Sequence, residues 1–204
     1  FGLPFDENAE KKLAQVRGKN YSKVRPTPLE QVRIVSLSKP AMDWLGMPIP
    51  TSAEEKQGLA ERLSGNELFE GSDPFAHCYC GHQFGHFSGQ LGDGRAISLG
   101  DIRTPGGDIV DLQLKGAGLT PYSRSADGRA VLRSSIREYL CSEAMYALGV
   151  PTTRAASLTV AATTVARDKL YTGNVKYEKC SVVMRLAPTF MRFGSFEIFK
   201  EKDP

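Results

Sequence analysis

The sequence is poor in cysteine, has a single tryptophan, carries little net charge and lacks any long apolar run. Each scarcity narrows its class. Cys78, Cys80, Cys141 and Cys180 are too few and too scattered for a disulfide framework, which favours a reducing compartment. No stretch approaches the roughly 18 apolar residues of a membrane-spanning helix, so no membrane span is expected. With 26 Lys+Arg against 23 Asp+Glu the net charge is only +3, too little to argue for a nucleic-acid partner. Hydrophobic residues at 41% and charged residues at 24% are close to the ordinary globular mix, which excludes a disordered tail. The first residues show no basic segment followed by an apolar one, so no signal peptide is expected. The chain opens on Phe1 and closes on Glu201-Lys202-Asp203-Pro204; neither end reads as a natural terminus, and a truncated chain is expected.

A length of 204 residues suggests one domain, or one and a half. No internal repeat or low-complexity segment interrupts it. Val32 to Leu37 alternates apolar and polar residues, as a half-buried strand does. Ser38 followed by Pro40 reads as a helix start, and Ser52 with Glu55 is a capping box opening a helix over Ala53 to Leu63 that Gly65 ends. Residues 71–95, dense in glycine, histidine and aromatics, read as an ordered loop region. Ala96 to Leu99 and Ile109 to Leu114 form a hairpin about the turn Thr104 to Asp108. The longest helical signal runs from about Gly128 to Leu148. Leu132, Ile136, Leu140 and Ala144 form an i, i+4 stripe on it, and its two partly apolar faces predict a sandwiched helix. Ser157 to Ala166 and Ser181 to Leu186 are strands, and Phe190 to Phe199 is expected to be extended. The order predicts an α+β fold, one long helix packed on a mostly antiparallel sheet.

The chemistry-bearing residues cluster in the middle. Gly89-Gln90-Leu91-Gly92-Asp93-Gly94-Arg95 precedes a strand, and its glycines allow backbone amides to approach a ligand closely, although such clusters are more often tight turns. Lys115 ends the next strand, on the face opposite Leu112 and Leu114, just before the long helix. Glycine loop, strand, strand with lysine, helix with glutamate is the order of the protein-kinase small lobe, where the lysine holds phosphates and the glutamate orients it. The helix offers Glu138 and Glu143, and geometry alone does not choose between them. Arg185 within an apolar strand and Arg192 among aromatics suit phosphate recognition, or equally an ion pair or a cation–π contact. Asp127-Gly128-Arg129 opens the helix as an anion- or ribose-contacting edge, or simply with an N-cap aspartate. His77, Cys78, Cys80, His82 and His86 are zinc-ligand types at poor spacing; a packed loop shaping the pocket is the stronger expectation.

These residues carry a resemblance to the selenoprotein O family. It rests on Cys80-Gly81-His82-Gln83-Phe84-Gly85, Gly89 to Arg95, Leu114 to Arg124, Asp127-Gly128-Arg129, Leu132 to Glu138, Gly149 to Arg154 and Arg192 to Glu197, together covering about residues 25–200. The resemblance implies a kinase-like small lobe over residues 71–204, preceded by an extension with short helices over 1–70. It implies an enzyme that binds ATP in a flipped orientation with Mg²⁺ and transfers AMP to Ser, Thr or Tyr hydroxyls of proteins. It makes Lys115 the phosphate-binding lysine and Glu138 its partner, with Gly92, Gly94, Arg95, Asp127, Gly128, Arg185 and Arg192 as nucleotide contacts. The family's catalytic aspartate and metal ligands lie in a large lobe beyond this chain, so these residues alone are expected not to catalyse transfer, and to leave an apolar face uncovered. Ala76 to Tyr79 and Phe193 to Phe199 look like eukaryotic, mitochondrial members; a bacterial protein would be cytoplasmic. An ordinary γ-phosphoryl kinase and a non-enzymatic pseudokinase or metal-binding module are the rival readings.

Overall fold

The computed structural model describes residues 5–6 and 19–202. Ten strands among them form one sheet: β1 (Phe5–Asp6), β2 (Tyr21–Lys23), β3 (Arg33–Leu37), β4 (Phe75–Gln83), β5 (His86–Gly92), β6 (Ala96–Arg103), β7 (Ile109–Lys115), β8 (Ala130–Val131), β9 (Arg154–Arg167) and β10 (Lys176–Ala187). The strand order is β1-β2-β4-β6-β7-β10-β9-β3, with β5 paired to β4 and β8 to β10. Every pairing is antiparallel except β1 with β2. Four helices accompany them: α1 (Lys39–Leu45), α2 (Ala53–Ser64), α3 (Leu132–Ala147) and α4 (Phe193–Lys202). The α+β expectation is met. Strands β2 and β3, from before residue 71, pair with β4 and β9 and so belong to the same sheet as the rest.

Alternation on the central strands sorts side chains to two faces. Leu112 and Leu114 of β7 and Val182, Met184 and Leu186 of β10 enter the main core with Ala60 and Leu63 of α2 and Met42 of α1. Val183 faces the other way, into a smaller cluster with Tyr139 of α3 and Ala155 and Leu158 of β9. The capping signals are realised: Ser52 and Glu55 close a full capping box, and Ser38 caps α1.

Four expectations need correction. Residues 71–95 are largely the β4–β5 hairpin, not a loop. Ala76, Cys78 and Cys80 are small enough to alternate into the core unnoticed, and Phe84-Gly85, both at positive φ, make the two-residue turn. Residues 190–199 are not extended: α4 begins at Phe193 and buries Ser195 and Ile198, three apart, where it packs on β4. The long helix begins at Leu132, not near Gly128, because Ala130 and Val131 are held extended by pairing with Ser181 and Cys180. Of its expected stripe only Leu132 packs inward, against the Tyr139 cluster. Ser135 and Tyr139 face the sheet, while Ile136, Leu140 and Met145 are exposed, Leu140 by 60%. Polar contacts choose that face: Ser135 Oγ lies 2.8 Å from Ser181 Oγ, and Ser36 Oγ donates to Tyr139 OH at 3.1 Å.

Glu143 staples this helix in place. It accepts from Arg154 Nε at 2.9 Å and Nη2 at 2.7 Å, from the Ala155 amide at 2.9 Å and from Ser38 Oγ at 2.5 Å. Burial alone would raise its carboxyl, but Arg154, Ser38 and the Ala155 amide outweigh burial and hold it below the ordinary value of 4.5. A carboxyl depressed in the folded state contributes stability that is present above its unfolded pKa and lost as pH falls through the folded one. Glu143→Gln in the full-length protein should therefore cost about 3 kcal/mol in denaturant unfolding at pH 7. The gap from wild type should narrow as pH drops below 4.5.

Candidate functional site

A cleft of about 740 Å³ opens between β5, the ends of β6 and β7, and the segment 122–129. Lys115, the last residue of β7, enters it because the register that buries Leu112 and Leu114 turns residues 113 and 115 to the opposite face. Its Nζ lies 2.8 Å from Oε2 of Glu138, and Oε1 of the same carboxylate lies 3.2 Å from Nε of Arg185. Glu138, not Glu143, is thus the lysine's partner, and one carboxylate serves two cations.

Of the residues singled out from sequence, Gly92, Gly94, Arg95, Lys115, Asp127, Gly128, Arg185 and Arg192 all line this cleft, with Glu138 directly behind. Arg185 leaves β10 beside a register irregularity at Met184/Arg185 and donates from Nη1 to Gln113 Oε1 at 2.8 Å. Burial lowers its pKa, which Glu138 partly opposes. Phe190 stacks beneath its guanidinium at 5.1 Å. Arg192, just before α4, lies over the Tyr79 ring at 4.5 Å and donates to the Phe190 carbonyl at 3.0 Å and to Asp93 Oδ1 at 3.3 Å. The ion-pair and cation–π contacts expected of these arginines are present, and both side chains also line the cleft.

The glycine loop is built by close packing. A Cβ on Gly92 would overlap the Tyr122 ring, and one on Gly94 would sit 2.8 Å from the Tyr122 carbonyl oxygen. The Asp93 and Gly94 amides already donate, at 2.9 Å each, to the His77 and Gly92 carbonyls. These two amides are thus already engaged, and the positive charge at the cleft comes from side chains. Asp127 is not a helix N-cap. Arg167 grips its carboxylate with two bonds, 2.6 and 2.8 Å, and the Arg129 amide adds a third at 2.9 Å. Burial works against the Asp127 charge, but these donors keep its carboxyl below the usual range. The Arg129 guanidinium donates to the Thr27 and Pro28 carbonyls and ties the cleft wall to the N-terminal segment.

Asp93, Gln113, Tyr79 and Arg167 were not singled out from the sequence. Alternation could have placed Gln113 beside Lys115; only the fold brings Asp93 to Arg192. Burial pushes the Asp93 carboxyl up, and Arg192 and His77 partly offset it. Burial pushes His77 down, with Asp93 opposing. The zinc-type residues are not gathered: Cys78 and Cys80 point into the core while His77 alternates away. Among the described residues no group of three or more His, Cys, Asp or Glu could hold a metal.

Seven cations (Arg95, Lys115, Arg124, Arg129, Arg167, Arg185 and Arg192) therefore surround the cleft against two carboxylates, Asp93 and Asp127. Fold and site define a class: an α+β protein whose antiparallel sheet presents a lysine–glutamate pair to a cation-lined cleft suited to a polyphosphate. The chain belongs to the family described as protein adenylyltransferase SelO, which matches residues 5–203. It is 57% identical over 200 residues to the mitochondrial protein adenylyltransferase SelO of Homo sapiens, covering 98% of this chain and 30% of that protein. It is 54% identical over 212 residues to the mitochondrial protein adenylyltransferase SelO-1 of Danio rerio, covering 98% and 30%. The protein nucleotidyltransferase YdiU of Methylobacillus flagellatus is 51% identical over 203 residues, covering 98% and 38%. The chain thus spans about a third of the length of these relatives.

Gly128 is the tightest point of the cleft wall. Its φ is +70°, its carbonyl accepts from the Gly118 amide at 3.1 Å, and a Cβ would overlap the Gly118 carbonyl. Gly128→Ala should lower stability by about 2–3 kcal/mol as read by the denaturation midpoint, whereas the same change at an unstrained glycine stabilises by up to about 1 kcal/mol.

Proposed function

We propose that this chain is the ATP-anchoring part of a protein adenylyltransferase that moves AMP from ATP to Ser, Thr or Tyr hydroxyls of proteins. The observation that carries the reading is the convergence of Lys115, Arg185 and Arg192 on one cleft, with Glu138 shared behind the first two. A single lysine with its glutamate suits one phosphate; three cations suit a polyphosphate held deep in the cleft. The names of the human and bacterial relatives support the same reaction class.

On this reading residues 71–204 are a kinase-like small lobe: the strand–strand–helix–strand–strand order β6, β7, α3, β9, β10 carries the lysine on β7 and the glutamate on α3. Strands β2 and β3 and helices α1 and α2, from residues 1–70, extend and back that sheet. Arg95, Asp127 and the backbone at Gly92, Gly94 and Gly128 form the rim that contacts the nucleotide. In the transfer step the hydroxyl oxygen bonds to the α-phosphorus, the bond to the bridging oxygen breaks, and pyrophosphate leaves with that electron pair. The hydroxyl proton goes to a base outside the described residues. Lys115, Arg185 and Arg192 stabilise charge building on the leaving pyrophosphate. ATP fits the cationic lining. Mg²⁺ belongs to the proposal too, but the described residues supply no ligand set for it, so its ligands and the catalytic aspartate are assigned to the portion that the longer relatives have in addition. The names of the human and zebrafish relatives suggest the mitochondrion.

The test uses the full-length protein with Mg²⁺ and ATP labelled at the α- or the γ-phosphate. The α label should become protein-bound, and Lys115→Ala should reduce it by about 100-fold or more, with Arg185→Ala and Arg192→Ala each reducing it by at least about tenfold. Protein-bound γ label without α label would replace this reading with an ordinary kinase.

A further inference from the structure

Beneath the cleft cations lie two buried polar side chains that the reading above does not use. Gln113 is fully buried on β7, and its cross-strand neighbours in register are Ser98 on β6 and Arg185 on β10. Its carbonyl oxygen accepts from Arg185 Nη1 at 2.8 Å, and its amide nitrogen donates to Asp93 Oδ2 and Ser98 Oγ, each at 3.4 Å. Asp93 is 4% exposed, and its other oxygen accepts from Arg192 Nη2 at 3.3 Å. Followed end to end, the contacts run Lys115–Glu138–Arg185–Gln113–Asp93–Arg192.

We infer that Asp93 and Gln113 are positioning residues for polyphosphate, completing with Glu138 one relay that fixes Lys115, Arg185 and Arg192 as a single rigid anchor. The inference deepens the ATP-anchoring reading and rests on it. A buried carboxylate and a buried amide are unfavourable at a position where an apolar side chain of similar size would pack. The Arg192 side chain is a third exposed, so water competes with Asp93 for it and the pair is weak as a stabilising contact. What Asp93 supplies is direction. It holds one edge of the guanidinium while Tyr79 supports its face and the Phe190 carbonyl takes another nitrogen. Gln113 then sets Arg185 relative to Asp93 through a side chain that both donates and accepts. The three cations are thus aimed before any ligand arrives, and little orientational freedom remains to be lost on binding.

The test measures equilibrium binding of ATP, AMP and inorganic tripolyphosphate to the full-length protein by calorimetry. Asp93→Asn should weaken ATP and tripolyphosphate by about tenfold, leave AMP within about twofold, and leave the melting temperature unchanged or higher. In an Arg192→Ala background the same substitution should add clearly less than its roughly tenfold effect alone, because part of that effect runs through Arg192 and the rest through Gln113 to Arg185. Gln113→Met should repeat the selective loss for ATP and tripolyphosphate. Equal losses for all three ligands together with a lower melting temperature would mean a merely structural role and would overturn the inference, as would wild-type affinity in Asp93→Asn, or independent losses in the double variant. If wild type binds tripolyphosphate, selectively weakened by Asp93→Asn, yet shows no gain for ATP over tripolyphosphate, the relay stands and the nucleotide reading falls. If wild type binds neither, both fall.

Discussion

The cleft depends on one constraint: cations taken out of water must be paired, and there are fewer carboxylates than cations to pair them. Glu138 meets the shortage by dividing its two oxygens between Lys115 and Arg185. That division fixes where α3 must lie against the sheet, because the helix has to present residue 138 to β7 and β10 together. Glu143, five residues on, secures the same helix from another side through Arg154, Ser38 and the Ala155 amide. The two glutamates therefore do different work. One is directed at the cleft; the other makes its position reproducible.

This explains why the outer surface of α3 is apolar. Once Ser135, Glu138, Tyr139 and Glu143 are committed to the sheet and its ion pairs, Ile136, Leu140 and Met145 have no inward position left. Periodicity reports that a helix has an apolar stripe. It does not report which stripe the sheet takes when polar contacts compete for the same face.

The backbone plan was otherwise largely legible. Capping residues, turn chemistry and β-branched runs gave both short helices, the β6–β7 hairpin, and strands β9 and β10, all signals that act within a few residues. The misses were cases where distant partners decide. Ala76, Cys78 and Cys80 look like loop residues until a core forms that only small side chains fit, and Phe193 to Phe199 becomes helical by packing on β4. The cleft residues followed the same rule. Lys115, Arg185 and Arg192 could be suspected because charge within apolar surroundings is visible in one dimension. Glu138 could not be separated from Glu143 by helical geometry alone; family resemblance chose it, and its contacts agree. Asp93 drew no attention because its significance is a contact with a residue 99 positions away.

The grip of Arg129 on the Thr27 and Pro28 carbonyls concerns time as well as geometry. Thr27 and Pro28 leave the ribosome about a hundred residues before the arginine that holds them, and β3 waits longer still for its partner β9. Closing such large loops is slow and is rewarded only when both ends have arrived. During synthesis the early segment must stay available, neither paired elsewhere nor aggregated, until the wall it will anchor exists. The wall that Arg129 anchors can therefore close only after about a hundred further residues have been made, and its hold on the earlier segment is on the carbonyls of Thr27 and Pro28.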